Sequence, residues 1–406
     1  MLPAKGRNEN FLKRMLVKKI TNYSRWVANI LTMTAVLWPA VGLAGSDLAV
    51  PAELVYQMSL PGKGDHFLRP GRIVIDPRHN EIYVADQGNA RIVILDQNGV
   101  YKFEFSVSEQ CGMPLDIAVN SRGEILVLGS DHDGRGIFVF DFDGLYRRTI
   151  IPAKDSIAGE MISLAVDGND RVYILGSGGV VTRYDPNGSR ETSFPVCEST
   201  GAEEEEDVVF GALLVSQNGE IFVPASSYGT VFRYDTDGNP LGTIGHHGTG
   251  VGELSFPVAA AVVGDELVLV LDKHRFTVVC FNYRGKFLGE FGGKGVNPGW
   301  FYHPTWLAAD INDRVYIGQI FGNKIQVCRI PESVRTRLSA GKDVPDNSVE
   351  KSGEISISRP ADDVFDGYIE DSQELYISAL FVRGNSWGPP RTSSNSPNPL
   401  WRFSNA

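Results

Sequence analysis

Residues Glu81 to Gly99 read EIYVADQGNARIVILDQNG. Two short apolar runs, EIYVAD and RIVILD, are separated by polar turn residues and followed by a second turn ending in glycine, the pattern of paired strands. Asp86, Asn89 and Arg91 crowd the first turn, where an acid and a base side by side look like catalytic machinery. Whether they do chemistry or hold a corner depends on how often the stretch recurs.

It recurs along the chain. Apolar strands centred on Tyr83, Leu126, Tyr173, Phe222, Leu269 and Tyr316 appear in EIYVAD, EILVLG, RVYILG, EIFVPA, LVLVLD and RVYIGQ, spaced by 43, 47, 49, 47 and 47 residues. A second strand follows each and ends at Asp96, Asp141, Asp185, Asp235, Asn282 or Arg329, 12 to 15 residues past the centre. Five of the six then turn through DQNG, DFDG, DPNG, DTDG or NYRG, whose glycine adopts positive φ at no steric cost. Another strand precedes each centre: GRIVID, LDIAVN, ISLAVD, GALLVS, VAAAVV and TWLAAD.

Each unit is therefore a four-stranded antiparallel meander, too small to stand alone and apolar on both faces. Stacking the units into a closed ring buries those faces. The expected fold is all-β, a six-bladed β-propeller. The sixth unit lacks an outer strand after Ile330, and ELVYQMSL (Glu53 to Leu60) is expected to complete it, closing the ring with an N-terminal strand.

Composition agrees with a folded chain: 406 residues, 42% hydrophobic, 21% charged, with 44 glycines for turns. Residues 1–44 differ from the rest. Seven basic residues against Glu9 precede the apolar run VANILTMTAVLWPAVGLAG, which reads as a secretory signal peptide with Gly42 and Ala44 at the cleavage positions. An uncleaved membrane anchor is the other reading, because the apolar run approaches spanning length, and translation from Met15 would shorten the basic stretch. Taking seven cations and one carboxylate from the 38 and 49 of the whole chain leaves 31 Lys plus Arg against 48 Asp plus Glu, a net −17 that repels phosphate backbones. Nucleic acid is thus not an expected partner.

The propeller is expected over 45–330. Residues 331–406 leave the repeat and read as a largely irregular C-terminal tail, with LYISALFV (Leu375 to Val382) able to supply one strand or docking segment. Cys111, Cys197, Cys280 and Cys328 admit three pairings and show no CxxC spacing. Cys280 and Cys328 point toward one interface from sheets about 10 Å apart, which favours buried thiols over a disulfide.

The units resemble NHL repeats, whose pattern runs strand, IYVAD, a GN-x-RI loop, strand and D-x-x-G. The first unit matches closely, and GHHGTGVGELSFP (Gly245 to Pro257) and GGKGVNPGWFYHP (Gly292 to Pro304) are similar to that family's glycine-rich approach to a blade. The resemblance covers residues 54–330 and implies an exported bacterial propeller. Related six-bladed rings, the peptide-amidating lyases and lactonases, hold a divalent metal in the channel through residues of several blades. No histidine occupies the corresponding positions here.

The DQGNAR loop is complete only in the first unit, while Asp272 and Lys324 stand at the same offset in later ones. Weakened copies point to a structural corner, with Asp86 accepting loop amides, Asn89 tolerating left-handed geometry and Arg91 pairing with the carboxylate. Function is sought instead at the channel mouth, where propeller ligands meet several blades. Aligning Pro70, Pro114, Met161, Phe210, Pro257 and Pro304 places Arg72, Asp116, Ser163, Ala212, Ala259 and Trp306 two residues on. Arg72, Asp116, Ser163 and Trp306 are the candidate binding residues, either as a polar pocket or as a salt bridge under a packed indole.

No catalytic residue and no cofactor are expected. Calcium or another divalent metal has two surface candidates, His246 and His247 with Glu253, and the acidic run 203–207, which a basic partner would also suit. The sequence favours a monomeric, non-catalytic platform for a protein, peptide or glycan partner in the periplasm, outside the cell or on the outer membrane face. The alternative is a hydrolase or lyase, lactonase-like or amidating-lyase-like, acting on a small metabolite through Asp116 and Arg72.

Overall fold

The computed structural model describes residues 51–62, 65–151, 159–197, 208–264 and 266–340. The signal peptide or anchor read at 1–44, the acidic run 203–207 and the tail beyond 340, with Leu375–Val382, lie outside the described residues.

Strand β1 (Glu53–Gln57) comes first. Blade one is β2 (Pro70–Asp76), β3 (Glu81–Asp86), β4 (Arg91–Asp96) and β5 (Tyr101–Ser106). A short helix α1 (Ser108–Cys111) leads to blade two, β6 (Asp116–Val119), β7 (Ile125–Asp131), β8 (Gly134–Phe140) and β9 (Tyr146–Ile151). Blade three is β10 (Met161–Val166), β11 (Val172–Gly176), β12 (Val180–Tyr184) and β13 (Arg190–Pro195). Blade four is β14 (Leu214–Val215), β15 (Ile221–Ala225), β16 (Thr230–Tyr234) and β17 (Pro240–Ile244). Blade five is β18 (Pro257–Val263), β19 (Leu267–Asp272), β20 (Thr277–Asn282) and β21 (Phe287–Gly292). Blade six supplies β22 (Pro304–Ala309), β23 (Arg314–Gln319) and β24 (Lys324–Arg329), and helix α2 (Glu332–Ala340) follows.

These strands make six four-stranded antiparallel sheets, each in sequence order except the last, which runs β1-β24-β23-β22. The N-terminal strand therefore completes blade six as expected, from Glu53 opposite Arg329 to Gln57 opposite Gln326. First strands touch one another around a closed cycle, β2, β6, β10, β14, β18, β22 and back to β2. The protein is a six-bladed propeller.

Its core is divided into six wedges, one at each blade boundary. Second strands carry most of it: β11, β15 and β19 are buried at every position, because each packs on both neighbours at once. Each fully buried aliphatic or aromatic side chain contributes about 1.5–3 kcal/mol, so the ring is held by repetition of one contact.

The D-x-x-G turns fit both blades that meet there. Gly188 has φ 91°, and a β-carbon on it would lie 2.1 Å from the Ile150 carbonyl oxygen of the preceding blade. Neighbouring blades are further stapled through the second residue of such turns. Arg233 donates to the Tyr283 carbonyl at 2.7 Å, Arg314 to that of Gln97 at 2.8 Å, and Arg183 to that of Thr236.

The segment read as irregular after residue 330 begins with α2. Its Val334 and Leu338, four residues apart, enter the wedge between blades five and six, and Arg337 donates to the Leu288 carbonyl at 2.8 Å. Two apolar residues in a polar nine-residue stretch gave too weak a periodicity to reveal it. Cys280 and Cys328 lie buried in the same wedge, and all four cysteines are free thiols. Burial pushes the Cys111 and Cys328 thiols up to about 12.

Candidate functional site

The first strands begin at one rim of the channel. In β2, β10, β18 and β22 the pairing slips soon after the strand starts, before Ile73, Ser163, Ala259 and Trp306. Such a bulge re-aims nearby side chains and strengthens the local twist. It falls at the positions aligned from sequence.

Arg72, Asp116, Ser163 and Trp306 come together there. The Ser163 hydroxyl donates to Asp116 Oδ2 at 2.6 Å, the Leu164 amide donates to the same oxygen at 2.8 Å, and the Ile117 amide donates to Oδ1 at 2.8 Å. Arg72 Nη1 lies 3.7 Å from Asp116 Oδ2, and its guanidinium carbon sits 5.7 Å from the centre of the Trp306 ring. Asp116 has 0% of its surface exposed and Ser163 2%. Burial pushes the Asp116 carboxyl up from the ordinary carboxylate range, against the pull of Arg72, Ser163 and the Leu164 and Ile117 amides.

A fifth participant is a backbone. Arg72 Nη1 donates to the Leu213 carbonyl at 3.0 Å, and the Leu213 amide donates to Ser163 Oγ at 2.9 Å. These bonds join blade one to blade four and blade four to blade three. They form because the pairing of this segment with β15 breaks off between the Phe210 bridge and Leu214, which leaves the Leu213 amide and carbonyl for other partners. Just before that pair, Ala212 donates to Val258 of blade five at 2.8 Å. Sequence alignment offered only Ala212 for this blade, since a backbone group leaves no side-chain signature.

Chemically, the cluster is a brace. Both Asp116 oxygens are occupied, the guanidinium bridges a carboxylate and a carbonyl, and the indole covers it. A carboxyl this enclosed exchanges protons with a ligand only if the mouth opens.

The corner residues form a separate network. Asp86 accepts the Leu68 amide at 2.7 Å, Asn89 Nδ2 at 2.8 Å and Arg91 Nε at 2.8 Å. Arg91 also donates to both oxygens of Glu104 at 2.8 Å and reaches Asp65 at 3.0 Å. The left-handed residue is Ala90, with φ 49°, so the geometry assigned to Asn89 from sequence belongs to its neighbour. Asn89 instead donates its side-chain amide to Asp86. In blade five Asp272 accepts four backbone amides, and Arg275 takes the place of Arg91 by donating to both oxygens of Glu290 at 2.8 Å. In blade six Lys324 donates to the Val296 carbonyl at 2.8 Å, while Gln319 replaces the aspartate and accepts the Tyr302 amide.

Among the described residues, one group of three ligand-type side chains lies within metal-binding distance: Asp131, His132 and Asp133, all exposed on the β7–β8 turn. Its signal in the sequence is the consecutive DHD. Asp131 already accepts the Asp133 amide at 2.8 Å. His246 Nε2 stands 3.6 Å from Glu253 Oε1, with the histidine side chain 75% exposed.

No family model matches the chain, and no curated protein matches it. Among solved structures it is similar to a protein of unknown function from Bacteroides thetaiotaomicron, at 12% identity and TM-score 0.52, over 69% of this chain and 74% of that one. A catalytically inactive virginiamycin B lyase from Staphylococcus aureus with quinupristin has 12% identity and TM-score 0.49, over 67% and 83%. The WD40 repeats of RRP9 have 15% identity and TM-score 0.48, over 70% and 82%. These likenesses carry no activity to this chain, and the propeller rests on its own six sheets.

Proposed function

We propose that the protein is an exported, non-catalytic propeller of NHL-repeat type that serves as a rigid platform for a protein, peptide or glycan partner in a bacterial envelope. The observation that carries this reading is the closed account at the channel mouth, where Asp116, Ser163 and Arg72 satisfy one another and the Leu213 backbone. Those bonds stiffen the ring and give both the Asp116 carboxyl and the Arg72 guanidinium partners within the protein. Export rests on the basic and apolar character of residues 1–44.

A second reading, a channel-mouth hydrolase or lyase on a small metabolite, draws on one observation: burial raises the Asp116 carboxyl, as a general acid requires. The experiment that separates the two is a thermal-stability scan of residues 45–406 against calcium, other divalent metals and pools of small metabolites, repeated with Asp116→Asn. No shift specific to Asp116 supports the platform; a shift abolished by the substitution overturns it.

A further inference from the structure

Among the described residues, the linker where blades one and two meet is set apart by a helix. Helix α1 is inserted in the linker, and between it and the turn before β9 lies a cavity of about 320 Å³. One wall is apolar, with Leu145 58% and Tyr146 43% exposed; Phe142 in the same turn is 67% exposed. Behind it the rings of Phe103, Phe105, Phe140 and Tyr146 continue in contact across the boundary, at centroid separations of 6.2, 5.5 and 5.8 Å. The other wall is polar, with the Ser106 and Ser108 hydroxyls 2.9 Å apart and Glu109 beside them.

Large exposed apolar side chains beside a concave, polar-rimmed surface mark a binding site more often than an accident of packing. The charges around it have one sign to spare. Arg147 is held by Asp141, Arg148 by Glu124 at 2.8 Å, and Lys102 by Glu81. Glu109 and Asp143 are exposed and take no part in an ion pair among the described residues.

We infer that this groove docks a cationic peptide segment, seating an aromatic or branched aliphatic side chain against Leu145 and Tyr146 and a lysine or arginine against Glu109. The inference rests on the platform reading and names the chemistry of its partner. The cavity holds one or two large side chains, the scale of a hot-spot anchor, and the carboxylates select the charge that accompanies it.

The test uses the folded protein and three dye-labelled peptides: one alternating phenylalanine and lysine, its phenylalanine and glutamate counterpart, and its serine and lysine counterpart. Fluorescence anisotropy is expected to show binding of the first alone. Leu145→Glu is expected to weaken that binding by about tenfold, and Glu109→Lys by about fivefold with a gain for the phenylalanine and glutamate peptide. Both substitutions are at exposed positions, and an unchanged melting curve verifies folding. Absence of binding by the phenylalanine and lysine peptide, or equal binding by wild type and both variants, overturns the proposal. Crosslinked capture from an envelope fraction separates the two levels: a partner held equally by wild type and both variants leaves the platform reading standing without this groove, and no partner at all removes that reading as well.

Discussion

Arg72 on blade one and Leu213 on blade four, three places apart around the ring, are joined directly by a hydrogen bond of 3.0 Å across the channel mouth. With Asp116 and Ser163 it ties four blades by a few bonds, and Trp306 brings in a fifth. Removing the guanidinium leaves a fully buried carboxylate and a backbone carbonyl without their cation. Arg72→Ala is expected to lower unfolding free energy by about 3 kcal/mol. Asp116→Asn, which keeps the shape, is expected to cost about 1 kcal/mol. Urea denaturation at pH 7 measures both, and the double variant should cost less than the sum because the two share one network.

The turn glycines predict a graded response. Gly188 needs both positive φ and the absence of a β-carbon, because the Ile150 carbonyl would be 2.1 Å away. Gly219 has φ 83°, yet the nearest obstacle to a β-carbon is the Thr236 methyl at 3.1 Å. Gly188→Ala is expected to cost about 3 kcal/mol and Gly219→Ala about 1 kcal/mol, in thermal or urea unfolding. Equal costs would mean that close blade contact contributes nothing beyond the dihedral.

What the sequence disclosed follows from this repetition. Strand spacing, the D-x-x-G turns and the N-terminal strand of blade six were legible because each is set by residues near one another in the chain. The channel residues were legible by alignment, since equivalent starts on successive blades converge on one axis. The Leu213 backbone, helix α1 and the groove beside Leu145 were not legible. Each depends on contacts between units, where no fixed spacing marks the partners. Ala90 was overlooked in favour of Asn89 because propensity for left-handed geometry favours asparagine, while the corner needed the Asn89 side chain for Asp86.

Acid should weaken the outer face of blade two in a definite window. Arg148, Arg122 and Asn120 hold the Glu124 carboxyl down to about 2 from its ordinary 4.5. A group with a lowered folded pKa stabilises above its unfolded value, so this contribution is whole above about pH 4.5 and is lost as pH falls toward about 2. Glu124→Gln is expected to cost about 2 kcal/mol at neutral pH after allowance for solvent screening and to flatten the acid limb of stability against pH. Denaturant midpoints at pH 7, 4 and 2.5 measure the difference.

Removing β1 should open the ring. A protein beginning after Leu60 leaves β24 as an unpaired outer edge and exposes the wedge lined by Met58 and Leu60. Hydrogen exchange is expected to accelerate across β24 by at least about a hundredfold while blades two to four change little. Uniform acceleration everywhere would show that the blades melt as one unit.

The pairing of β1 with β24 also sets an order of events in synthesis. A chain made from its amino end delivers Glu53 early, but the partner Arg329 only after five blades have been completed. So non-local a contact is slow to form, and until it does both strands carry open hydrogen-bonding edges. The interval before the ring shuts is therefore when the nascent chain is most exposed to chaperones, proteases and other copies of itself.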